Sequence, residues 1–457
     1  MAQGKTKDMT QGAPLGLILG FLWPVVAGLL FQQLYVFVDT IIVGRFLGTV
    51  ALAAVGCTSS VTMLTTGFCV GACSGFAIPI ARSFGEHSEP DLRRYAANSY
   101  YLTAALTLVM TLGTLLGCDG ILRLMNTQDD ILPLARIYLL VLFCGMPARY
   151  IYNMLAAMIR SFGESRFPLI CLVTSSLTNI ALDLVAVLVL HMGVAGAALA
   201  TIVSEYLAAL MCFVYIRRYA FLRMTRDELR PDRATLRELC GAGLPMGLQS
   251  SITMIGLVVM QTAVNAMGTV AVAAMTAYTK ITYLFDCPFA ALGTTIATFA
   301  SQNHGARRID RIQKGVRLTM IIGIIYSILA LIVIALFGRW MASLFVSGDA
   351  DEVIHYAYMI SLWVAVFYVL CTAINVLRYT LQGVGFTKIA MFAGVFEMIA
   401  RSCAGLWLVP AFGYAGIYFA SPLAWVFALA FLLPVYLRTM RELRLLMPPV
   451  KNLSAED

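Results

Sequence analysis

Long apolar segments separated by short polar loops cover almost the whole chain of 457 residues. A helix of about 20 apolar residues can cross the hydrocarbon core of a bilayer, which is about 30 Å thick. The pattern therefore predicts an all-α integral membrane protein with twelve transmembrane helices. The predicted spans are residues 15–43, 50–81, 96–118, 132–159, 168–190, 194–216, 240–265, 270–301, 316–337, 356–381, 389–410 and 414–437.

The second half of the chain repeats the first at an offset of about 220 residues. The segment LGTVALAA at 47–54 matches MGTVAVAA at 267–274, and Pro24 in the first span is matched by Pro245 in the seventh. Repeats of whole helix bundles are typical of secondary transporters, whose substrate path lies between two related halves. Six spans in each repeat give both halves the same orientation. The pseudo-twofold axis is therefore predicted to run along the membrane normal.

The repeat divides the chain into an N-lobe at residues 1–216 and a C-lobe at residues 240–440. Between them, residues 217–239 carry charges of both signs and include Pro231. Such a segment is typical of a connection in water, and we predict a cytoplasmic linker there. Residues 441–457 are predicted to form a polar C-terminal tail.

Basic residues are distributed unevenly among the predicted loops. With the N-terminus inside, the outer loops hold only Arg45, Arg123 and Arg339, and the inner loops hold most of the 32 Lys and Arg residues. Because cytoplasmic loops carry such an excess, both termini are predicted to be cytoplasmic. The same asymmetry accounts for the net charge of +8, so this charge does not indicate a nucleic-acid partner.

Composition agrees with a membrane protein rather than a soluble domain. The chain is 60% hydrophobic and 12% charged, with a mean hydropathy of +0.84, which lies outside the range of soluble domains. The eleven cysteines show no metal-ligand spacing, and the four histidines are scattered. We therefore expect no enzymatic activity, no resident cofactor and no metal other than a transported Na⁺. A receptor or channel would not need two tandem six-span halves.

A few ionisable and polar residues lie within the predicted spans, where they are costly and usually functional. Asp39 is roughly 8 Å inside the outer end of span one, Asp183 roughly 12 Å inside span five, and Thr201 roughly 11 Å inside span six, at 1.5 Å per residue. Three helices of one half thus carry polar groups at one depth. This shared depth predicts a common site.

Local spacing strengthens the prediction of a cation site. Asn179 and Asp183 are four residues apart and share one helix face, as do Tyr35 and Asp39. Two nearby carboxylates outside water are not both stable as bare anions, so a proton or a sodium ion must neutralise them. An alternative is that Asn179 and Tyr35 only link helices and that Asp39 lies at an outer interface.

Other polar residues in the spans are candidates for a substrate cavity. Glu397 and Arg401 are four residues apart and can form an ion pair on one helix face. Arg149 and Arg378 lie close enough to predicted cytoplasmic ends to extend their charges into water. The cavity candidates are Gln33, Lys280, Asp286, Glu397 and Arg401.

Pro24 lies within the first span, on the same helix as Asp39. Proline removes a helix hydrogen bond and permits a bend. We therefore interpret Pro24 as a hinge whose bend responds to neutralisation of Asp39. Proline is also tolerated in membrane helices without any such role, so this alternative stays open.

These motifs together resemble the MATE (multidrug and toxic compound extrusion) family over nearly the whole chain. The loop after span eight, SQNHGA at 301–306, resembles the family's Gln-Asn-x-Gly-Ala segment, and Leu381–Gly385 resembles its turn between spans ten and eleven. The resemblance also rests on Pro24, Tyr35, Asp39 and Gly44 in span one and on Asn179 and Asp183 in span five.

The resemblance implies two V-shaped six-helix lobes that alternate between inward- and outward-open forms. It implies export of cationic amphipathic drugs in exchange for H⁺ or Na⁺, from the bacterial cytoplasmic (inner) membrane, by a protein that acts as a monomer in the lipid bilayer. The family's N-lobe cation site matches Asp39, Asn179, Asp183 and Thr201, with Tyr35 beside it.

One departure from the family bears on the mechanism. The NorM-type branch carries an acid in span seven, whereas residues 241–265 of this chain contain none. This absence favours a DinF-like protein driven by its N-lobe. The alternative function is a lipid flippase of the same superfamily, such as one for lipid-linked oligosaccharides, although such flippases usually carry extra spans.

Overall fold

The structure is a computed structural model that describes residues 6–125, 127–345 and 351–447. Most of the predicted tail, residues 448–457, lies outside this part of the chain. Within the described residues all regular structure is helical. This confirms the prediction of an all-α protein.

Seven α-helices make up the first half. The last of them is followed by a short 3₁₀ turn at Ala220–Leu222. The helices are α1 Pro14–Ile42, α2 Gly48–Gly85, α3 Glu89–Leu124, α4 Leu132–Cys144, α5 Met146–Ser161, α6 Arg166–Leu184 and α7 Gly193–Ile216.

The second half follows the same order with one additional short helix. The last helix extends through the first six residues of the segment predicted as tail, to Leu446. The helices are α8 Arg233–Asn265, α9 Thr269–Gly305, α10 Ile309–Ser343, α11 Asp351–Val366, α12 Tyr368–Gly383, α13 Thr387–Cys403, α14 Val409–Phe412 and α15 Tyr414–Leu446.

Twelve elements of the described chain are long and apolar enough to cross a membrane, as the sequence predicts. Nine continuous helical stretches meet this condition, and the pairs α4–α5 and α11–α12 supply two more spans, bent by 44° and 53°. The longest stretch, Pro14–Gly85, contains both α1 and α2, each of which is long enough to cross alone. These helices separate at Gly48, whose positive φ of 86° favours glycine.

The bends occupy equivalent places in the two halves, which agrees with the internal repeat. The α4–α5 bend lies at Gly145, immediately before Met146 and a proline in the first turn of α5. A Cβ atom at Gly145 would lie 2.3 Å from the Ile202 side chain. Glycine therefore permits α7 to approach the bend closely.

Many large apolar side chains point outward rather than into the protein. Leu116 is 87% exposed, Trp23 73% and Leu336 72%. Such a surface is unfavourable in water, whereas lipid is an apolar solvent for it. Charged side chains at the same positions would be costly in the hydrocarbon core.

The described residues pack as two compact units. The first contains Trp23–Gly247 together with the N-terminal residues up to Asp8, and the second contains Met9–Leu22 and the residues from Leu248 onward. The division falls within two helices, α1 and α8, next to Pro24 and Pro245. The bounds predicted for the two lobes and the linker stay a prediction.

The second unit holds a short segment from the start of the chain. Met9 is fully buried, and its backbone N–H donates to Gln302 Oε1 at 2.8 Å. Asn303 Nδ2 and Arg311 Nη2 donate to the Met9 carbonyl at 3.2 and 3.1 Å, and Arg311 Nη1 donates to the Gly12 carbonyl at 2.9 Å. The SQNHGA segment and Arg311 thus provide hydrogen-bond partners for the backbone of residues that precede the first span.

Candidate functional site

Two acidic side chains, Asp39 on α1 and Asp183 on α6, meet inside the first unit. Their carboxyl groups lie within hydrogen-bonding reach of each other. Asp183 is fully buried, and Asp39 is half-buried. In each group the Oδ1 atom has no hydrogen-bond partner in the described part of the chain. A close pair of carboxyl groups with unsatisfied oxygens can hold a shared proton or a small cation.

Asn179 and Thr201 border this pair. Asn179 lies one turn before Asp183 on α6 and is 1% exposed. In one amide orientation its nitrogen donates to Asp183 Oδ2 at 3.3 Å and its oxygen accepts from the Thr201 backbone N–H at 3.2 Å. In the other, its nitrogen donates to Thr201 Oγ1 at 3.4 Å and its oxygen faces the Asp183 oxygen.

The two orientations of the Asn179 amide suit different states of Asp183. A bare carboxylate favours the amide nitrogen, which donates to it. A protonated carboxyl group, or a cation bound beside it, favours the amide oxygen, which accepts the proton or ligates the cation. The side chain is therefore placed to respond to the charge on Asp183.

Both acid-bearing helices change to a single π-helical turn shortly after the acid. α1 continues as Val43–Leu47, four residues beyond Asp39, and α6 continues as Val185–Val189, two residues beyond Asp183. In such turns the hydrogen bonds span five residues instead of four, and they occur frequently at functional sites. The 3.6-residue hydrophobic pattern does not predict these turns, because it reports only which face of a helix is apolar.

The first span contains three other candidate residues, Tyr35, Gln33 and Pro24, and all three lie on α1 with Asp39. Tyr35, one turn before it, interacts electrostatically with Asp39, Asp183 and Glu205. Gln33 is half-buried on the same helix, and Pro24 is buried farther toward its N-terminal end. Tyr35 is therefore adjacent to the acid pair, as the spacing predicts.

Arg149 on α5 does not extend into water, contrary to the sequence-based expectation. Its Nη2 lies 2.9 Å from Glu205 Oε1 on α7, and its Nη1 donates to Thr66 Oγ1 at 2.8 Å. The reason is tertiary: the packing of α5 against α7 offers the guanidinium a half-buried carboxylate partner, which the sequence of a single helix does not reveal. Arg149 thus neutralises Glu205, and within the described part of the chain no Lys or Arg forms an ion pair with Asp39 or Asp183.

The second unit contains a separate group of buried charges. Arg378 Nη1 on α12 lies 2.8 Å from Glu397 Oε1 on α13, and Arg401 Nη2 lies 3.8 Å from Glu397 Oε2. The expectation that Arg378 extends into water is therefore wrong, because Glu397 holds it inside. The predicted pair of Glu397 with Arg401 is present, but it is the longer of the two contacts.

Lys280 and Asp286 lie on α9 in the same unit, and both are half-buried. Asp286 interacts electrostatically with Arg401. Tyr278, one helical turn before Thr282, also interacts with Asp286 and Arg401. Sequence reasoning did not single out Tyr278, because one tyrosine among 20 carries no distinguishing spacing.

Comparison with known proteins matches the two halves separately to one family. The family model described as MatE matches residues 24–185 and again residues 245–404, so the two matches begin at Pro24 and Pro245. The chain belongs to the MATE family. The double match also supports the internal repeat that the sequence indicates.

Two similar proteins come from Bacillus subtilis. The probable multidrug resistance protein YoeA is 29% identical over 355 residues, which cover 75% of this chain and 76% of YoeA. The probable multidrug resistance protein YpnP is 26% identical over 370 residues, which cover 80% of this chain and 81% of YpnP. This chain therefore spans most of the length of both relatives.

The fold is also that of solved MATE transporters. A structure described as the outward-facing conformation of a multidrug resistance MATE family transporter of the MOP superfamily matches with a TM-score of 0.90 and 23% identity. The match covers 97% of this chain and all of that chain. It confirms the MATE fold, whereas the DinF-like subtype stays a prediction.

Proposed function

We propose that this MATE protein is a secondary active multidrug efflux antiporter that exports cationic amphipathic compounds in exchange for H⁺ or Na⁺. The observation that carries the proposal is the acid pair of the half-buried Asp39 and the buried Asp183, which has no ion-pair partner among the described residues. Asn179 and Thr201 supply polar atoms beside it. The MATE relatives named as multidrug resistance proteins support the substrate class.

Electrostatics explains why the pair must take up a cation. Two carboxylates at hydrogen-bonding distance repel each other strongly where water is excluded. A proton can sit between them, shared by one oxygen of each. A sodium ion can instead take the Oδ1 atoms with oxygens from Asn179 and Thr201, because hard cations prefer oxygen ligands. Both ions are therefore chemically suited to the site, and both belong to the proposal as cargo.

The energy carried by one ion is sufficient for useful export. One elementary charge that moves through 100 mV releases about 2.3 kcal/mol. A tenfold uphill gradient of an uncharged drug requires about 1.4 kcal/mol. One coupled ion per drug molecule can therefore sustain export, and a single acid pair is enough for coupling.

Movement of α1 connects the acid pair to alternating access. Pro24 lies where this helix passes from one packing unit to the other, and its missing backbone N–H weakens the helix there. Neutralising Asp39 removes its repulsion from Asp183 and so changes the force on α1. In our proposal the helix bends at Pro24 in response, and ion and drug alternately stabilise two conformations.

Location and assembly belong to the same proposal. The bacterial relatives support a place in the bacterial inner membrane. The excess of basic residues in alternate loops supports cytoplasmic termini. The acid pair is complete within one chain, which supports a monomer as the functional unit.

Transport in proteoliposomes tests the proposal. Ethidium transport is measured with either a pH gradient or a sodium gradient as the driving force, for the natural protein and for Asp183→Asn. We expect one of the gradients to drive transport and the variant to lose more than nine-tenths of the rate. Asp119→Asn serves as the control, because Asp119 is exposed and pairs with Arg136 outside the site. Full activity of Asp183→Asn would contradict the proposal.

A further inference from the structure

Three exposed arginines lie at one end of the packed helices α6 and α7 in the first unit. The last residue of α7 is followed directly by Arg217 and Arg218, and α6 begins at Arg166. The two helix ends meet, because the ring of Phe167 stacks on that of Tyr215 with 3.6 Å between their centroids. We call Arg166, Arg217 and Arg218 the arginine cluster.

No carboxylate neutralises the arginine cluster. Within the described residues none of its three members forms an ion pair. Glu164, the acid closest to it in the sequence, accepts hydrogen bonds from the backbone N–H groups of Arg166 and Phe167, at 2.7 and 3.3 Å. Three acids of the predicted linker pair with other arginines, at 3.2 Å for Glu228 with Arg93, 2.7 Å for Glu238 with Arg82 and 3.6 Å for Asp227 with Arg230.

Two members of the cluster fold back along α7. The guanidinium carbon of Arg217 lies 4.9 Å from the ring centroid of Phe213, four residues earlier. That of Arg218 lies 5.8 Å from the ring centroid of Tyr215, three residues earlier. A guanidinium group is attracted to an aromatic face within about 6 Å of its centroid. Both charges are therefore held at the end of the span instead of extending into the linker.

The length and surface of α7 place these charges at the level of the lipid headgroups. Its 24 residues span about 36 Å at 1.5 Å per residue, which exceeds the hydrocarbon thickness of about 30 Å. Exposed large side chains recur every three or four residues along it, and Arg217 continues the same face. Such a face is unfavourable in water and favourable in lipid. The face is formed by Leu199, Val203, Tyr206, Leu210 and Phe213.

We infer that the arginine cluster binds the phosphodiester headgroup of an anionic phospholipid, in the leaflet where α7 ends. A guanidinium group can donate two parallel hydrogen bonds to a phosphate, and basic clusters between membrane helices bind such headgroups. The acyl chains of the lipid lie along the exposed apolar face of α7. Three uncompensated positive charges disfavour a zwitterionic lipid, whose own cationic group they repel. This lipid site goes beyond the antiport and does not depend on it.

Two lipids with the same chains and different headgroups test this assignment. Binding of dioleoyl phosphatidylglycerol and of dioleoyl phosphatidylcholine to the purified full-length protein in detergent is measured by native mass spectrometry. We expect the first phosphatidylglycerol molecule to bind at least about fivefold more tightly than phosphatidylcholine. Each arginine near a lipid surface contributes about fivefold in affinity. We therefore expect Arg217→Gln with Arg218→Gln to raise the Kd of phosphatidylglycerol at least about tenfold and that of phosphatidylcholine less than about twofold.

Two further double variants separate the cluster from net charge and from folding. Arg438→Gln with Arg441→Gln removes two exposed arginines from the end of α15, the last helix of the second half, and both Kd values should stay within about twofold. Arg217→Lys with Arg218→Lys keeps the charge but loses the planar donor pair, and we expect a Kd for phosphatidylglycerol about threefold higher. If the glutamine variant of the cluster does not fold, the lysine variant and the two lipids on the natural protein still decide.

The assignment is overturned if the natural protein binds phosphatidylcholine at least as tightly as phosphatidylglycerol. It is also overturned if the variants at the end of α15 weaken phosphatidylglycerol binding as much as those of the cluster, because net charge alone would then be responsible. Soluble glycerophosphoglycerol, which has the headgroup without acyl chains, should not displace the lipid at about tenfold excess. Displacement would show a site for free phosphodiesters instead of a lipid.

Discussion

The carboxyl groups of Asp39 and Asp183 lie within hydrogen-bonding reach of each other, although one belongs to the first transmembrane helix and the other to the fifth span. Asp183 is fully buried, and neither acid has an arginine or lysine as an ion-pair partner within the described residues. Such a pair is unstable as two anions. We therefore propose that an ion controls the conformation by neutralising this pair.

Replacement of Asn179 by Leu should weaken coupling. The variant removes the amide whose nitrogen can donate to Asp183 Oδ2, while keeping a side chain of similar size. We expect ion-driven ethidium transport to fall about tenfold, because a hydrogen bond to a charged group contributes about 1.5–3 kcal/mol. Asn153→Leu is the control, since among the described residues Asn153 donates to a backbone carbonyl on α5, that of Arg149, and not to the acid pair. Equal rates for both variants would contradict a role for Asn179.

The ion pair between Arg149 and Glu205 should stabilise the first unit. Arg149→Met leaves the half-buried Glu205 without its partner, and we expect a loss of about 3 kcal/mol in stability, the lower end of the range for buried pairs. Thermal unfolding in detergent measures this loss as a lower Tm. The double variant Arg149→Met with Glu205→Leu should recover most of it, because no unpaired charge remains. A double variant as unstable as the single one would show that the pair is not the cause.

Pro24→Ala should slow transport without abolishing substrate binding. Alanine restores the backbone N–H and stiffens α1 where the helix passes between packing units. We expect at least a fivefold lower transport rate and a Kd for ethidium within twofold of the natural protein. Pro434→Ala, on an exposed face of α15, is the matched control and should change neither quantity. An unaffected rate in Pro24→Ala would exclude the hinge.

Arg311 should hold the N-terminal segment against the second unit. Arg311→Met removes its hydrogen bonds to the carbonyl groups of Met9 and Gly12. We expect backbone amide hydrogens in residues 9–12 to exchange at least tenfold faster with solvent. Mass spectrometry of the exchanged protein measures this, with the exposed Lys314→Ala as the control. Unchanged protection in Arg311→Met would show that other contacts hold the segment.

The sequence predicts the spans well because their signal is strong and local. Each predicted span coincides with a helix or a bent helix pair, and the MATE family prediction is confirmed. The sequence also predicts that Asp39 and Asp183 share one site, because the depth of a residue in the membrane and the four-residue spacing follow from helical geometry. The structure brings these two side chains together, and their role in coupling stays a proposal.

Contacts between segments that are distant in the sequence could not be predicted from the sequence. Arg149 and Arg378 find carboxylate partners on neighbouring helices, and only the packing of those helices shows this. The SQNHGA segment is visible as a motif, but its hold on Met9 depends on a contact across nearly 300 residues of sequence. The π-helical turns leave no periodic signal at all.

Ion release on substrate binding tests the central claim most directly. Purified protein in a weakly buffered, sodium-free solution is mixed with ethidium, and a pH indicator reports protons released; a parallel titration with Na⁺ reports competition with ethidium. We predict release of about one proton per ethidium bound, or displacement of ethidium by Na⁺. Both responses should be lost in the double variant Asp39→Asn with Asp183→Asn. Ethidium binding that releases no proton and is insensitive to Na⁺ would contradict the account.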